Sequence, residues 1–132
     1  EQIIPPTAED FSGGYAEKLY KRANRFEAWN SKGKLIGLIA AYFNKETHQI
    51  WIPYVCVSKE YQGKGLSKLM FKALFEFSDQ ENQLYSEIGL EVLEGNAIAR
   101  NLYKRIGFIS NETINGKIQM WKEIVPRHIE RK

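Results

Sequence analysis

Cysteine is nearly absent from this chain: Cys56 is the only one in 132 residues. That excludes an internal disulfide and a cysteine-rich zinc cage, and makes a reducing cytoplasm the expected compartment. Histidine is as scarce, with only His48 and His128. No ligand spacing for a metal is present, so no metal is expected. Long apolar runs are also missing. The run at 37–43 falls far short of the ~20 residues a membrane span needs, no signal peptide opens the chain, and no membrane partner is expected. A strong charge bias is missing as well. The net charge of +3 is spread out apart from a basic tail at 126–132. That tail is too short and terminal to indicate nucleic acid, and reads as a solvated end.

What is present is the material of a core. Hydrophobic residues make up 43% of the chain, with three Trp, seven Tyr and seven Phe. This is enough for one globular domain over residues 1–132, beginning with a stiff, extended lead-in at 1–10 that contains Pro5 and Pro6. No repeat, linker or low-complexity stretch divides it.

Periodicity then sets out the elements. A helix is expected over 14–24, with Tyr15, Leu19 and Ala23 on one face. Two strands follow, one around Phe26, Ala28 and Trp29 and one over 35–43, joined through a turn at 30–33. A third strand spans 50–57 beyond a polar turn at 44–48. Pro53 lies inside it, marking an edge, a bulge or irregular pairing, unless the strand starts there. The strongest helix covers 66–77, with Leu66, Leu69, Met70, Ala73, Leu74 and Phe77 forming one apolar stripe. Phe71 and Phe75 fall off it, toward a second layer or another subunit. A strand over 88–93 follows, with Ile88, Leu90 and Val92 alternating, then a helix from Gly95-Asn96 to Ile106 that Gly107 ends. Strands over 108–114 and 117–124 flank the hairpin signal Asn115-Gly116. Helices between some strands and hairpins between others predict a mixed α/β sheet with helices packed on it.

Gln62, Gly63, Lys64, Gly65, Leu66 and Ser67 join the third strand to the strongest helix. Glycines permit close backbone approach to a ligand, and a helix start offers unpaired N–H groups and partial positive charge, so the turn suits an anion such as phosphate. It is neither a P-loop, since Lys64 precedes Gly65, nor a dinucleotide fingerprint, which would need glycine at Lys68. Downstream, Asn96 and Tyr103 stand about two helical turns apart and share one face, an amide at the helix start and a phenol further along.

These two stretches resemble the GNAT-type N-acetyltransferases. The glycine turn is similar to the family's Q/R-x-x-G-x-G/A signature, with Ser67 where glycine or alanine is usual. Asn96, Ala99, Leu102, Tyr103, Gly107 and Phe108 are similar to N-x-x-A-x-x-L-Y-x-x-x-G-F. The match runs in order from about Phe26 to Ile124. The resemblance implies a mostly antiparallel sheet in which two parallel strands, here 50–57 and 88–93, splay apart around acetyl-coenzyme A. Pro53 would disrupt pairing near the splay. Main-chain groups of Val55, Cys56 and Val57 would pair with the pantetheine arm, amides from Gln62 to Lys68 would hold the pyrophosphate, and Asn96 would contact the pantetheine.

Tyr103 matches the family's proton donor to the departing thiolate, a task for which phenol and thiol have comparable ordinary pKa values. The amine's base is assigned to Glu91, which strand alternation points away from Ile88, Leu90 and Val92, with Glu94 and Tyr54 as rivals. Cys56, lacking an activating neighbour, is read as a small packing residue, and His48 as a surface one. The family's domain opens with a strand and a helix ahead of the helix at 14–24. Here only the Pro-Pro lead-in precedes it, so a trimmed or remodelled start is expected, with apolar surface that a homodimer would cover. The activity implied is transfer of an acetyl group to the amine of a small molecule or protein. The alternatives are a non-catalytic acetyl-coenzyme A-binding or regulatory module and an acyltransferase using another acyl-coenzyme A.

Overall fold

The computed structural model describes residues 2–4, 23–80 and 84–124. The strands are β1 (Gln2–Ile4), β2 (Asn24–Trp29), β3 (Leu35–Asn44), β4 (Gln49–Val57), β5 (Glu87–Leu93), β6 (Ile109–Ile114) and β7 (Lys117–Glu123). The helices are α1 (Leu66–Gln80) and α2 (Ala97–Ile106), with a short 3-10 turn, Lys59–Tyr61, between β4 and α1. The seven strands form one sheet in the order β1-β2-β3-β4-β5-β7-β6. Every neighbouring pair is antiparallel except β4 and β5. The expected mixed sheet with one parallel pair is therefore present.

Local chemistry fixes the turns. Asn30 Oδ1 accepts the amides of Lys32 and Lys34, both at 3.0 Å, and closes the β2–β3 hairpin. Asn44 Oδ1 does the same for Glu46 at 2.9 Å and Thr47 at 3.2 Å before β4. Asn115 and Gly116 have φ of 52° and 76°, the two positive values a type I′ hairpin turn needs.

One face of the sheet carries both of the described helices. Ile39, Ile50, Ile88, Leu90 and Met120 from the strands and Leu66, Met70, Phe71 and Leu74 from α1 share one buried core. Gly37 allows α1 to lie close, since a Cβ there would stand 2.9 Å from Met70 Cε.

Four details depart from the sequence reading. The lead-in is not merely a stiff segment: Gln2–Ile4 pairs with β2 as a strand, Gln2 opposite Trp29. Ala23 and Asn24, expected to close a helix, instead form a bend and open β2, and the rest of that helix, 14–22, lies outside the described residues, as do the basic tail and His128. The buried stripe of α1 is rotated. Leu69 is 53% exposed, while Phe71 is fully buried against Tyr103 of α2 and against Phe108, with ring centroids at 6.0 and 5.8 Å. The sheet takes only part of α1's apolar surface, and α2 with Phe108, just ahead of β6, takes the rest. Lastly, Cys56 does not pack inside: it is exposed near the end of β4. His48 is exposed, as expected.

Candidate active site

β4 is where the sheet opens. Ala40 pairs with Tyr54, yet Tyr42 pairs with Trp51, so three β4 steps span two on β3 and a bulge sits at residues 52–53. On the other side, parallel pairing with β5 ends at Ile52 and Leu90, although the strands continue to Val57 and Leu93. Pro53 is the first residue past the last pair, and it has no N–H for a ladder bond. Of the readings open for Pro53, the bulge is the one realised. Beyond it the facing edges of β4 and β5 diverge.

Two cavities meet at this gap. One, of about 220 Å³, reaches the helix-bearing face and is lined by Tyr54, Val55, Glu91, Asn96, Ala99 and Tyr103 among others. The other, of about 270 Å³, adds Trp51 and Lys117. They share Ile52, Pro53, Glu91, Val92 and Leu93. A reactant on one face can therefore approach a reactant on the other through the splay.

The glycine turn follows β4 directly. Gln62 Nε2 donates to the carbonyl of Val57 at 3.0 Å, tying the turn to the strand end. Gly63 and Gly65 have φ of 75° and 84°, values a side chain rarely adopts, and a Cβ at either would meet only open space within 4 Å. The first bond of the helix start runs from the Leu69 amide to the Gly65 carbonyl at 3.2 Å. Among the described residues the amides of Gly65, Leu66, Ser67 and Lys68 therefore have no carbonyl one turn back. The Leu66 side chain is buried in the core, so its contribution to a ligand is limited to its N–H. Lys64 Nζ lies 5.9 Å from the Tyr61 ring centroid. Open space, free amides and a cation make the turn chemically suited to a phosphate.

Asn96 caps α2, its Oδ1 accepting the Ala99 amide at 3.1 Å. This holds the helix start at the cavity and leaves the Asn96 NH₂ free to donate. Two turns on, Tyr103 is only 8% exposed, wedged between Phe71 and Phe108 with both ring centroids at 6.0 Å. Burial pushes its phenol above the ordinary tyrosine value, so it keeps its proton throughout the neutral range. Glu91 is exposed, opposite Gln119 of β7, and lines both cavities, as its place in the alternation predicted. Of the rivals, Tyr54 lines the cavity on the helix side. Glu94 lies beyond β5, where its amide donates to Gly116 at 2.8 Å, and it lines neither cavity. Cys56 lines neither cavity either. The sequence reading passed over Trp51 and Lys117. Their signal is cross-strand register, which alternation within one strand does not reveal.

A glycine turn at a helix start, a parallel pair whose pairing stops short and a buried phenol thus surround one cleft in an acetyltransferase-like α/β fold. The Acetyltransferase (GNAT) family model matches residues 4–108, and the chain belongs to that family. It is 36% identical over 95 residues to a probable spermine N(1)-acetyltransferase of Bacillus subtilis subsp. natto, covering 68% of this chain and 60% of that one. It is also 31% identical over 77 residues to an N-acetylaspartate synthetase of Xenopus tropicalis, covering 58% of this chain and 28% of the relative. The chain thus spans less than two thirds of the length of either relative. Among solved structures, the PaiA N-acetyltransferase of Thermoplasma acidophilum in complex with coenzyme A has the same fold, with a TM-score of 0.70 at 19% identity over 77% of this chain and 61% of that one. No helix among the described residues is long and apolar enough to cross a membrane.

Proposed function

We propose that this chain transfers the acetyl group of acetyl-coenzyme A directly to a primary amine of a small molecule. The observation that carries the proposal is the loss of β4–β5 pairing beyond Ile52, with Tyr103 lining the cavity that results. The residues present fit the cofactor. The amides of residues 62–68 would receive its pyrophosphate, the unpaired β4 edge at Val55, Cys56 and Val57 would meet its pantetheine arm, and Asn96 would add a donor.

The neutral amine attacks the thioester carbonyl, a C–N bond forms, and the C–S bond breaks with its electron pair leaving on sulfur. Tyr103 supplies the proton that sulfur takes up, and Glu91 accepts the one the amine gives up. Backbone N–H groups near Val55 would stabilise the intermediate oxyanion. Spermine, the substrate named for one relative, is the first acceptor to assay.

The test is acetyl-coenzyme A turnover with an amine panel, following free thiol and acetylated product together. Amine-dependent release of both is expected, and replacement of Glu91 by Gln is expected to lower kcat about 100-fold. Binding of coenzyme A without turnover of any amine would instead assign a non-catalytic binding module. An unchanged kcat in Glu91→Gln would place the base elsewhere. Faster turnover with a longer acyl-coenzyme A would change the donor.

A further inference from the structure

The sheet face opposite α1 and α2 carries, besides Glu91, groups that the transfer chemistry does not use. Alternation along β5 puts Glu87, Gly89 and Glu91 on this face, while Ile88, Leu90 and Val92 are buried on the other. In register, Gly89 lies between Trp51 of β4 and Trp121 of β7. The two indoles are 5.7 Å apart between centroids, and a Cβ on Gly89 would stand 2.6 Å from the Trp121 ring. The missing side chain therefore lets Trp121 lie over the strand beside Trp51. Trp51 and Glu91 also line the 270 Å³ cavity that joins the reaction cleft.

The sequence of groups along this face is a carboxylate at the cleft, then two indoles, then a second carboxylate. Four residue steps along the strand separate Glu91 from Glu87, roughly 13 Å. At the far end Glu87 stands directly opposite Glu123, a like-charge cross-strand pair of the kind that destabilises a sheet. Glu87 Oε2 accepts from Gln49 Nε2 at 2.6 Å, which leaves the charge of the pair uncompensated by that bond. An ammonium placed between the two carboxylates would relieve the repulsion, and indole faces favour a cation passing over them. Lys117 lines the cavity at the opposite end, next to the β6–β7 turn, and repels a cation there. The charges thus give a bound polycation one direction.

We propose that this face is the acceptor site and that it selects a linear amine carrying a second cationic nitrogen about 10 Å or more from the one acetylated, a distance set by the strand rise. The nitrogen to be acetylated lies at Glu91, the chain crosses Trp51 and Trp121, and the distal ammonium lies at Glu87 and Glu123. This rests on the transferase reading above and assigns the groups that set its specificity.

Two measurements on the same protein test it. The first compares kcat/KM for spermidine and for n-octylamine with acetyl-coenzyme A. Spermidine is expected to be preferred at least tenfold. Glu87→Gln should raise the KM for spermidine about tenfold with kcat little changed, shrinking the preference toward one. The second is saturable quenching or shift of tryptophan fluorescence by spermidine in the presence of coenzyme A, weakened in Glu87→Gln and in Trp51→Phe. Equal kcat/KM for the two amines, or a spermidine KM unmoved in Glu87→Gln, would overturn the acceptor assignment while leaving the transferase reading intact. No turnover with either amine, but spermidine-dependent fluorescence lost in Glu87→Gln, would support the site and overturn the transferase reading. Neither turnover nor a fluorescence response would overturn both.

Discussion

Replacing Tyr103 with Phe is expected to lower kcat about 100-fold, the lower end of what a positioned general acid contributes, with the KM for acetyl-coenzyme A changed by no more than about twofold. The substitution removes one oxygen and keeps the ring, so the packing against Phe71 and Phe108 survives and the fold is not at risk. The phenol is suited to the role because burial holds its proton in place at neutral pH. A fall in kcat alone is the signature of a contribution made in the transition state. Single-turnover measurements separate chemistry from product release. An unchanged rate for the chemical step would move the proton donor to another group.

The second large effect is expected at Phe71, which is 0% exposed and touches the rings of Tyr103, Phe108 and Phe75. Truncation to Ala removes a buried ring and leaves a cavity, at a cost of about 3–5 kcal/mol. Against a total stability on the order of 5–15 kcal/mol, that is a large share. Thermal melting should fall by roughly 10–20 °C. Phe71→Leu, which refills most of the volume, should recover more than half of the loss. Because Phe71 also backs Tyr103, Phe71→Ala should lose turnover at temperatures where it is still folded. A drop of under about 3 °C would mean that the surrounding side chains close the cavity without cost.

Phe71 also illustrates how far sequence reading reaches. The stripe on α1 was legible because helical periodicity is local. The sheet, however, is not the helix's only neighbour. Which residues off the stripe are buried depends on α2 and on Phe108, about 30 residues or more away along the chain, so Phe71 meets a second layer there while Leu69, expected on the buried stripe, is exposed. β1 escaped notice for a different reason: three residues are too few for alternation to register, and the prolines that follow suggested a stiff lead-in. The hairpins were legible from Asn115 and Gly116 because turn chemistry is encoded in adjacent residues.

The same distinction divides the site. The glycine turn and the Asn96-to-Tyr103 spacing were readable because each lies within one short segment. Pro53 was readable as an irregularity, but only the register with both neighbours shows that the bulge and the end of parallel pairing coincide. Trp51, Gly89 and Trp121 lie on three strands far apart in sequence and come together only through that register. Nothing local to any of the three announces the others.

The proposed chemistry requires coenzyme A held between β4 and β5 with its pyrophosphate on the start of α1. The most direct test is an amide NMR titration of the labelled chain with coenzyme A. The largest shifts are expected at Gly63, Gly65, Ser67 and Lys68 and along β4 from Tyr54 to Val57, with little change in β2. Saturable shifts confined to other parts of the chain, or no shift at these amides at millimolar coenzyme A, would contradict it.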